Sequence, residues 1–295
     1  MRLGRHMPLN AKPVRAATTA REIGCDTIQI FASNPTGWRP PNDDPKAALA
    51  FAEAARQYGL EPVVIHAPYL INLASSEEEI WGKSINLLRW TLRRAPLLAA
   101  SSVVFHTGSH RGAGVEVGIA RIAEAIQRIL PETPLEVMLL LENDVGAGNS
   151  LGQSFEQIAM VLDLLPQYTE RLGVCIDTAH LWGAGYDIST RQSTLDILQH
   201  FDEVIGLPRL KVLHLNDTEK ALGSHRDVHA RLGEGIIGEE GLRTLLTDSR
   251  LDHVAVLLET PIKTTDEDKE DWEHDRLQIA HARSLMRPYT TTPEL

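Results

Sequence analysis

Val137-Met-Leu-Leu-Leu-Glu142 is five apolar residues closed by a carboxylate, and the same design recurs along the chain. Pro62-Val-Val-Ile-His66, Ser102-Val-Val-Phe-His106, Val174-Cys-Ile-Asp177, Lys211-Val-Leu-His214 and Val254-Ala-Val-Leu-Leu-Glu259 are all short and rich in leucine or β-branched residues. Each ends on a residue able to ligate a metal. Unbroken apolarity over so few residues describes strands buried on both faces, as in a parallel sheet. The stretches between them have helical character, and the strand-helix alternation repeats roughly every 35 residues, as eight β/α units in this length require.

The chain is therefore read as α/β, a single-domain (β/α)8 TIM barrel spanning residues 1–295, with its metal cluster at the carboxyl ends of the strands. Strands are predicted near 2–6, 26–31, 61–66, 101–106, 135–142, 172–178, 209–215 and 253–259. Ser76 with Glu79, and Ser154 with Gln157, have the spacing of capping boxes that open helices. Residues 33–45 and 143–153, rich in Gly, Pro, Asn and Asp, and the acidic 262–275 read as long loops. At 295 residues, 43% hydrophobic and 23% charged, the composition is that of one globular barrel enzyme. The N-terminus lacks the pattern of a signal peptide and no apolar run approaches membrane-spanning length, so a cytoplasmic protein is expected. Cys25 and Cys175 read as small core residues rather than a disulfide or thiolate site.

In a barrel, residues at strand ends share one mouth, so positions as distant in sequence as His66 and Glu259 converge. Nine candidate ligands follow: His66, His106, Glu142, Asp177, His180, His214, Asp227, His229 and Glu259. A single strand-end histidine is most often a hydrogen-bonded structural residue. Glu142 and Glu259 resist that reading, because a carboxylate buried behind an apolar run needs a cation. Asp177-Thr-Ala-His180 sets two ligand types three residues apart where a strand leaves the barrel, and Asp227-Val-His229 sets two on one face of an extended segment. Imidazole and carboxylate together, without sulfur, suit zinc or another first-row divalent ion.

Over nearly its whole length the chain resembles the endonuclease IV family of apurinic/apyrimidinic (AP) endonucleases. The resemblance rests on His66-Ala-Pro-Tyr-Leu-Ile-Asn-Leu, Phe105-His-Thr-Gly-Ser, Leu140-Leu-Glu-Asn, Gly173-Val-Cys-Ile-Asp-Thr-Ala-His180, His214-Leu-Asn-Asp-Thr, Gly223-Ser through Asp227-Val-His229, Gly233-Glu-Gly and Leu258-Glu-Thr-Pro261. It implies a barrel with three zinc ions, and the ligand set also tolerates manganese in part. By that resemblance His66, His106 and Glu142 would hold one ion; Glu142, Asp177, His214 and Glu259 a second; His180, Asp227 and His229 the third. Glu142 and Glu259 would be the catalytic carboxylates. The implied substrate is double-stranded DNA with abasic sites or blocked 3′ ends, nicked 5′ of the lesion to leave a 3′-hydroxyl and a 5′-deoxyribose phosphate. Tyr69 matches the family position that inserts into the duplex at the lesion. A monomer would keep the mouth open to a duplex.

With 29 Lys plus Arg against 40 Asp plus Glu, the formal charge is −11, which three zinc ions would raise to −11 + 6 = −5. Affinity for DNA would then depend on the metals and a local basic rim, for which Arg39, Lys83, Arg111, Lys220 and Arg226 are candidates. Gly146-Ala-Gly148 and Gly233-Glu-Gly235 could present backbone N–H groups to phosphate, although turns are the commoner reason for such glycines. Arg89, Arg93 and Arg94 read as a solvated helix face, and Trp38 and Trp182 as core or cleft aromatics. Three positions depart from the family pattern: Thr36 and Val228 stand where arginine is usual, and Gly4-Arg-His6-Met-Pro lacks a serine- and glycine-rich continuation. These departures bear on DNA binding, not on the ligand set. Two alternatives share the barrel. A single-metal sugar isomerase or epimerase would need only Glu142, Asp177, His214 and Glu259, and a catalytically silent DNA-damage binder would keep the ions as a staple.

Overall fold

The structure is a computed structural model that describes residues 1–8, 13–40, 45–261 and 272–287. Eight parallel strands close on themselves in sequence order: β1 (Arg2–His6), β2 (Thr27–Phe31), β3 (Val63–His66), β4 (Ala100–His106), β5 (Met138–Glu142), β6 (Leu172–Asp177), β7 (Leu210–His214) and β8 (Ala255–Leu258). Pairing of Leu3 with Val256 closes the ring. Helices α1 (Pro13–Glu22), α2 (Pro45–Tyr58), α3 (Glu78–Arg94), α4 (Val115–Ile129), α5 (Phe155–Asp163), α6 (Thr178–Ala184), α7 (Arg191–Val204), α8 (Glu239–Thr247) and α9 (Trp272–Leu285) run outside it. None of the described helices is long and apolar enough to cross a membrane.

All eight predicted strands form, with ends moved by at most three residues. The largest shift is at β5, which starts at Met138 because Leu135 is solvent-exposed and Val137 still closes a turn onto the Pro134 carbonyl. Ser154 caps α5 by accepting the Gln157 N–H, as expected, but the Gln157 side chain reaches back to the Gly152 N–H instead of completing the box. The Ser76/Glu79 box does not form. α3 begins one residue later behind Glu77, whose N–H is taken by Ser75, while Glu79 pairs with Lys83 one turn on. Residues 143–153 are a loop, pinned by a bridge between Ser109 and Ser150. Of the other expected loops, residues 41–44 and 262–271 lie outside the described residues. Pro45 already opens α2 and Trp272 opens α9, so both loops were read too long.

Strand side chains alternate between two environments. Outward positions such as Ile28, Ile65, Phe105, Leu141, Val174 and Val256 join the large core beneath the helices. α4 shows how that core is met: Ile119, Ile122, Ala123, Ile126 and Ile129, three or four residues apart, are buried on one helix face. Inward positions Val64, Val104, Leu140, Cys175, Val212 and Leu257 form a separate dry layer inside the barrel. Two residues further along the same six strands lie His66, His106, Glu142, Asp177, His214 and Glu259. The ligand candidates are therefore the next rung of the barrel interior, resting on an apolar floor.

β1 and β2 approach so closely that a Cβ on Gly4 would fall 1.9 Å from the Thr27 carbonyl oxygen. Gly4→Ala is expected to cost about 3 kcal/mol or more by forcing these backbones apart. An unfolding free energy from urea titration within about 0.5 kcal/mol of wild type, measured without metal, would contradict that close approach.

Candidate metal centre

Strand register sets the ligand candidates side by side: His106 is opposite Glu142, and Asp177 opposite His214. Glu142 is fully buried at the centre. Its Oε2 stands 3.1 Å from His66 Nε2 and 3.8 Å from His106 Nε2, and its Oε1 2.9 Å from His214 Nδ1. Glu259 Oε2 lies 3.2 Å from His214 Nδ1. Asp177 caps α6 by accepting the His180 N–H at 2.9 Å, which explains the three-residue spacing of that pair. Its other oxygen accepts from the Asn216 amide at 2.6 Å and lies 3.5 Å from His229 Nε2. Asp227 Oδ1 is 3.2 Å from both His180 Nε2 and His229 Nε2.

Among the described residues, potential ligand atoms other than sulfur thus fall into three clusters, each within 4.8 Å: His66, His106 and Glu142; Glu142, Asp177, His214 and Glu259; and Asp177, His180 and His229. Asp227 stands beside the last, so all nine predicted residues come together. Asp177 also faces the third cluster, a contact absent from the sequence reading. Cys175 lies in the floor against Glu142 and His214, where burial pushes its thiol well above the ordinary range.

Carbonyl oxygens can only accept, so their contacts fix two ring tautomers. His66 Nδ1 donates to the Ala67 carbonyl at 2.7 Å and His180 Nδ1 to that of Asn143 at 2.8 Å, leaving each Nε2 free to face the carboxylates. This is the outer support that metal-ligating histidines require. His229 Nε2 is buried between two carboxylates, 3.2 Å from Asp227 Oδ1 and 3.5 Å from Asp177 Oδ2, without a well-directed hydrogen bond to either, as a nitrogen with a ligand still to accept would be. Together with the all-imidazole and carboxylate donor set, these features fit divalent ions.

Burial pushes the His214 imidazole down, but Glu259 and Glu142 outweigh it and hold it up at about 9. Burial likewise opposes, and Asp177 and Asp227 outweigh, at His229, also held at about 9. For Glu142, burial acts upward while His106 and His214 bring the carboxyl well below its usual range. Without metal the carboxylates therefore hold protonated imidazoles. Protons on raised imidazoles stabilise the fold below the ordinary histidine value of 6.5, and this contribution is lost as pH rises through about 9. Metal must displace those protons, so its affinity is expected to rise from about pH 6 to about pH 9. Calorimetric titration in buffers of different ionisation enthalpy reads the released protons; a pH-independent affinity with no proton release would overturn this reading.

A cleft of about 300 Å³ opens beside Glu259 and is lined in part by His6, Phe31, Tyr69 and His229. Tyr69 is half-exposed there, edge-on to Phe31 at 5.2 Å. The loop that carries it is tied to its neighbour by Asn72, whose side chain accepts the Ser109 N–H and donates to the Ser109 carbonyl. Thr36 and Val228 are exposed; Thr36 is hydrogen-bonded to Asn34 within its own turn, and Val228 lies between the ligand candidates Asp227 and His229 in the chain.

Other candidates take structural roles. The Gly233-Glu-Gly235 amides do not await phosphate, because Asp217 accepts from the N–H groups of Gly233, Gly235, Ile237 and Thr218. Gly146 donates its N–H to Asp144. Trp182 is buried and donates to the Lys220 carbonyl, while Trp38 packs half-buried against the core. Arg89 and Arg93 pair with Glu132. In the proposed basic rim, Lys83 pairs with Glu79 and Arg111 with Glu77.

Sequence reasoning missed two residues, Gln29 and His6. Gln29 donates to Glu259 Oε1 at 2.5 Å, and His6 Nδ1 lies 3.3 Å from the same oxygen. The signal existed: both have the inward phase of their strands, opposite each other in register.

Fold and site together define a metal-dependent (β/α)8 enzyme. Residues 17–284 match the family described as xylose isomerase-like TIM barrel. A protein named "Probable endonuclease 4" from Natranaerobius thermophilus is 44% identical over 269 residues, covering 91% of this chain and 94% of its own length. The crystal structure of endonuclease IV from Thermus thermophilus superposes with a TM-score of 0.81 at 35% identity, covering 97% of this chain and 99% of that one. D-psicose 3-epimerase from Clostridium cellulolyticum shares only the fold, at 14% identity and a TM-score of 0.71 over 98% of this chain and 100% of that one. The chain belongs to the endonuclease IV family of metal-dependent DNA-cleaving hydrolases.

Proposed function

We propose that the protein is a zinc-dependent AP endonuclease of base excision repair, acting as a cytoplasmic monomer. It would hydrolyse the phosphodiester 5′ of an abasic site to leave a 3′-hydroxyl and a 5′-deoxyribose phosphate, and clear blocked 3′ ends by the same chemistry. The observation that carries this reading is the convergence of His66, His106, His180, Asp227 and His229 on the Glu142, Asp177, His214 and Glu259 set. A one-metal sugar enzyme needs only the latter four.

In this reading His66, His106 and Glu142 hold one ion, Glu142, Asp177, His214 and Glu259 a second, and His180, Asp227 and His229 a third, with Asp177 also facing that third site. Bound zinc lowers the pKa of water and neutralises charge on the phosphate in the transition state, and manganese suits part of the set. Glu142 keeps the first two ligand groups together. Glu259, at the edge of the cleft, orients the attacking water and accepts its proton. Tyr69, exposed at the mouth beside His66 and His106, stacks into the gap left by the missing base. The apolar floor below the ligands keeps solvent from entering from beneath.

The test is a duplex carrying one tetrahydrofuran analogue, which cannot undergo β-elimination, incubated with zinc-loaded protein and with the His229→Ala variant. A 3′-hydroxyl product 5′ of the lesion, lost in the variant, is expected. An intact duplex after incubation with protein holding three ions would refute the assignment; binding without turnover would leave a damage binder, and ketose epimerisation a sugar enzyme.

A further inference from the structure

Gln29 is fully buried on β2. Its amide spans three groups at the mouth: Nε2 is 2.5 Å from Glu259 Oε1 and 2.9 Å from His6 Nδ1, and Oε1 is 2.9 Å from His214 Nε2. A carboxylate only accepts, so the Glu259 contact dictates which end of the amide points to it: turning the amide over would set two acceptors against each other. With the NH2 end committed to Glu259 and His6, the oxygen is left facing His214. That oxygen also only accepts, so His214 must carry its proton on Nε2. In the neutral, metal-binding form of the ring the lone pair of His214 is then on Nδ1, the nitrogen that faces Glu142 and Glu259 at 2.9 and 3.2 Å. His66 and His180 have their tautomers set by backbone carbonyls, whereas His214 has only this side chain for the purpose.

We propose that Gln29 is a positioning residue that sets the tautomer of His214 and the rotamer of Glu259 through one amide, and thereby assembles the ligand group shared by those two residues. No other common side chain of this length serves: methionine offers neither bond, and glutamate can hold His214 but opposes Glu259. The inference builds on the metal-dependent reading of the site.

The test uses the full chain carrying Gln29→Met, which keeps the volume, and Gln29→Glu, which keeps one acceptor. Metal affinity is measured by calorimetric titration with zinc. The side-chain nitrogens of His214 are observed by 15N NMR on metal-free protein at a pH above about 9, where the ring is neutral and a tautomer is defined, both measurements without DNA. For Gln29→Met, zinc affinity at one site is expected to fall about 10–100-fold. Its His214 signal should become a mixture of tautomers, with the metal-free melting midpoint little changed. For Gln29→Glu, the Nε2–H tautomer should persist while zinc affinity still falls. With DNA present, kcat should fall in both variants while KM holds, since Gln29 is buried. Wild-type zinc affinity together with an unchanged His214 tautomer in Gln29→Met would overturn the proposal. If that variant does not fold, wild-type affinity in Gln29→Glu does so. A protein that behaves as expected in zinc and NMR measurements yet leaves abasic DNA intact would sink the nuclease reading alone.

Discussion

Glu259→Gln is expected to lower cleavage of the tetrahydrofuran duplex by about 10³-fold while leaving the fold intact. The side chain is only partly enclosed, and its contacts are to Gln29, His6 and His214. A glutamine can retain an oxygen toward the Gln29 amide, so packing persists. What it loses is the negative charge and the capacity to take a proton. Burial pushes the Glu259 carboxyl up, but His214 outweighs it and holds the group ionised. The loss should therefore appear in kcat more than in KM, and should not be restored by raising the pH. Near-normal turnover from protein with full metal content would remove Glu259 from the chemistry.

Glu142→Ala should do more, because this carboxylate alone faces His66, His106 and His214 from a fully buried position. Two of the three ligand groups lose their common member, so bound metal measured by elemental analysis should drop to about the content of the His180, Asp227 and His229 group. Cleavage should fall to background. Stability of the metal-free protein should also drop, by about 3–5 kcal/mol, since imidazoles held protonated by Glu142 would be left buried without their counter-charge. Urea unfolding of stripped protein reads that cost. Retention of full metal content would show that the first two groups are held by other residues.

The barrel was legible because each strand is a short apolar run with a polar end, a pattern that survives without knowledge of partners. Seven of the nine ligand candidates were legible for the same reason, at the end of a run or, for His180, three residues after it; Asp227 and His229 lie 13 and 15 residues beyond His214 and were legible as two ligand types on one face of an extended segment and through the family resemblance. Gln29 escaped because glutamine is not a ligand type, although the alternation that puts Val64 and His66 on one side puts Gln29 there too, and His6 escaped because Arg2-Leu-Gly-Arg-His6 is not an apolar run. Asp217 was harder. Its four N–H partners come from its own neighbour and from the turn around Gly233, and only the closed fold brings that turn onto it. The α3 start was misread because Ser75 and Ser76 both have capping chemistry, and the choice between them depends on the path of the preceding loop.

The rung of ligands lying two residues above the apolar floor restricts how such a protein can vary by descent. Deleting one residue inside β5 would turn Glu142 toward the helices and bring Asn143 into its place at the mouth, so a frame change within a strand abolishes chemistry and core at once. Lengthening or replacing a connecting loop leaves that phase untouched. Novelty in this scaffold is therefore expected to accumulate in the loops and by exchange of single residues on the upper rung, while strand lengths stay fixed.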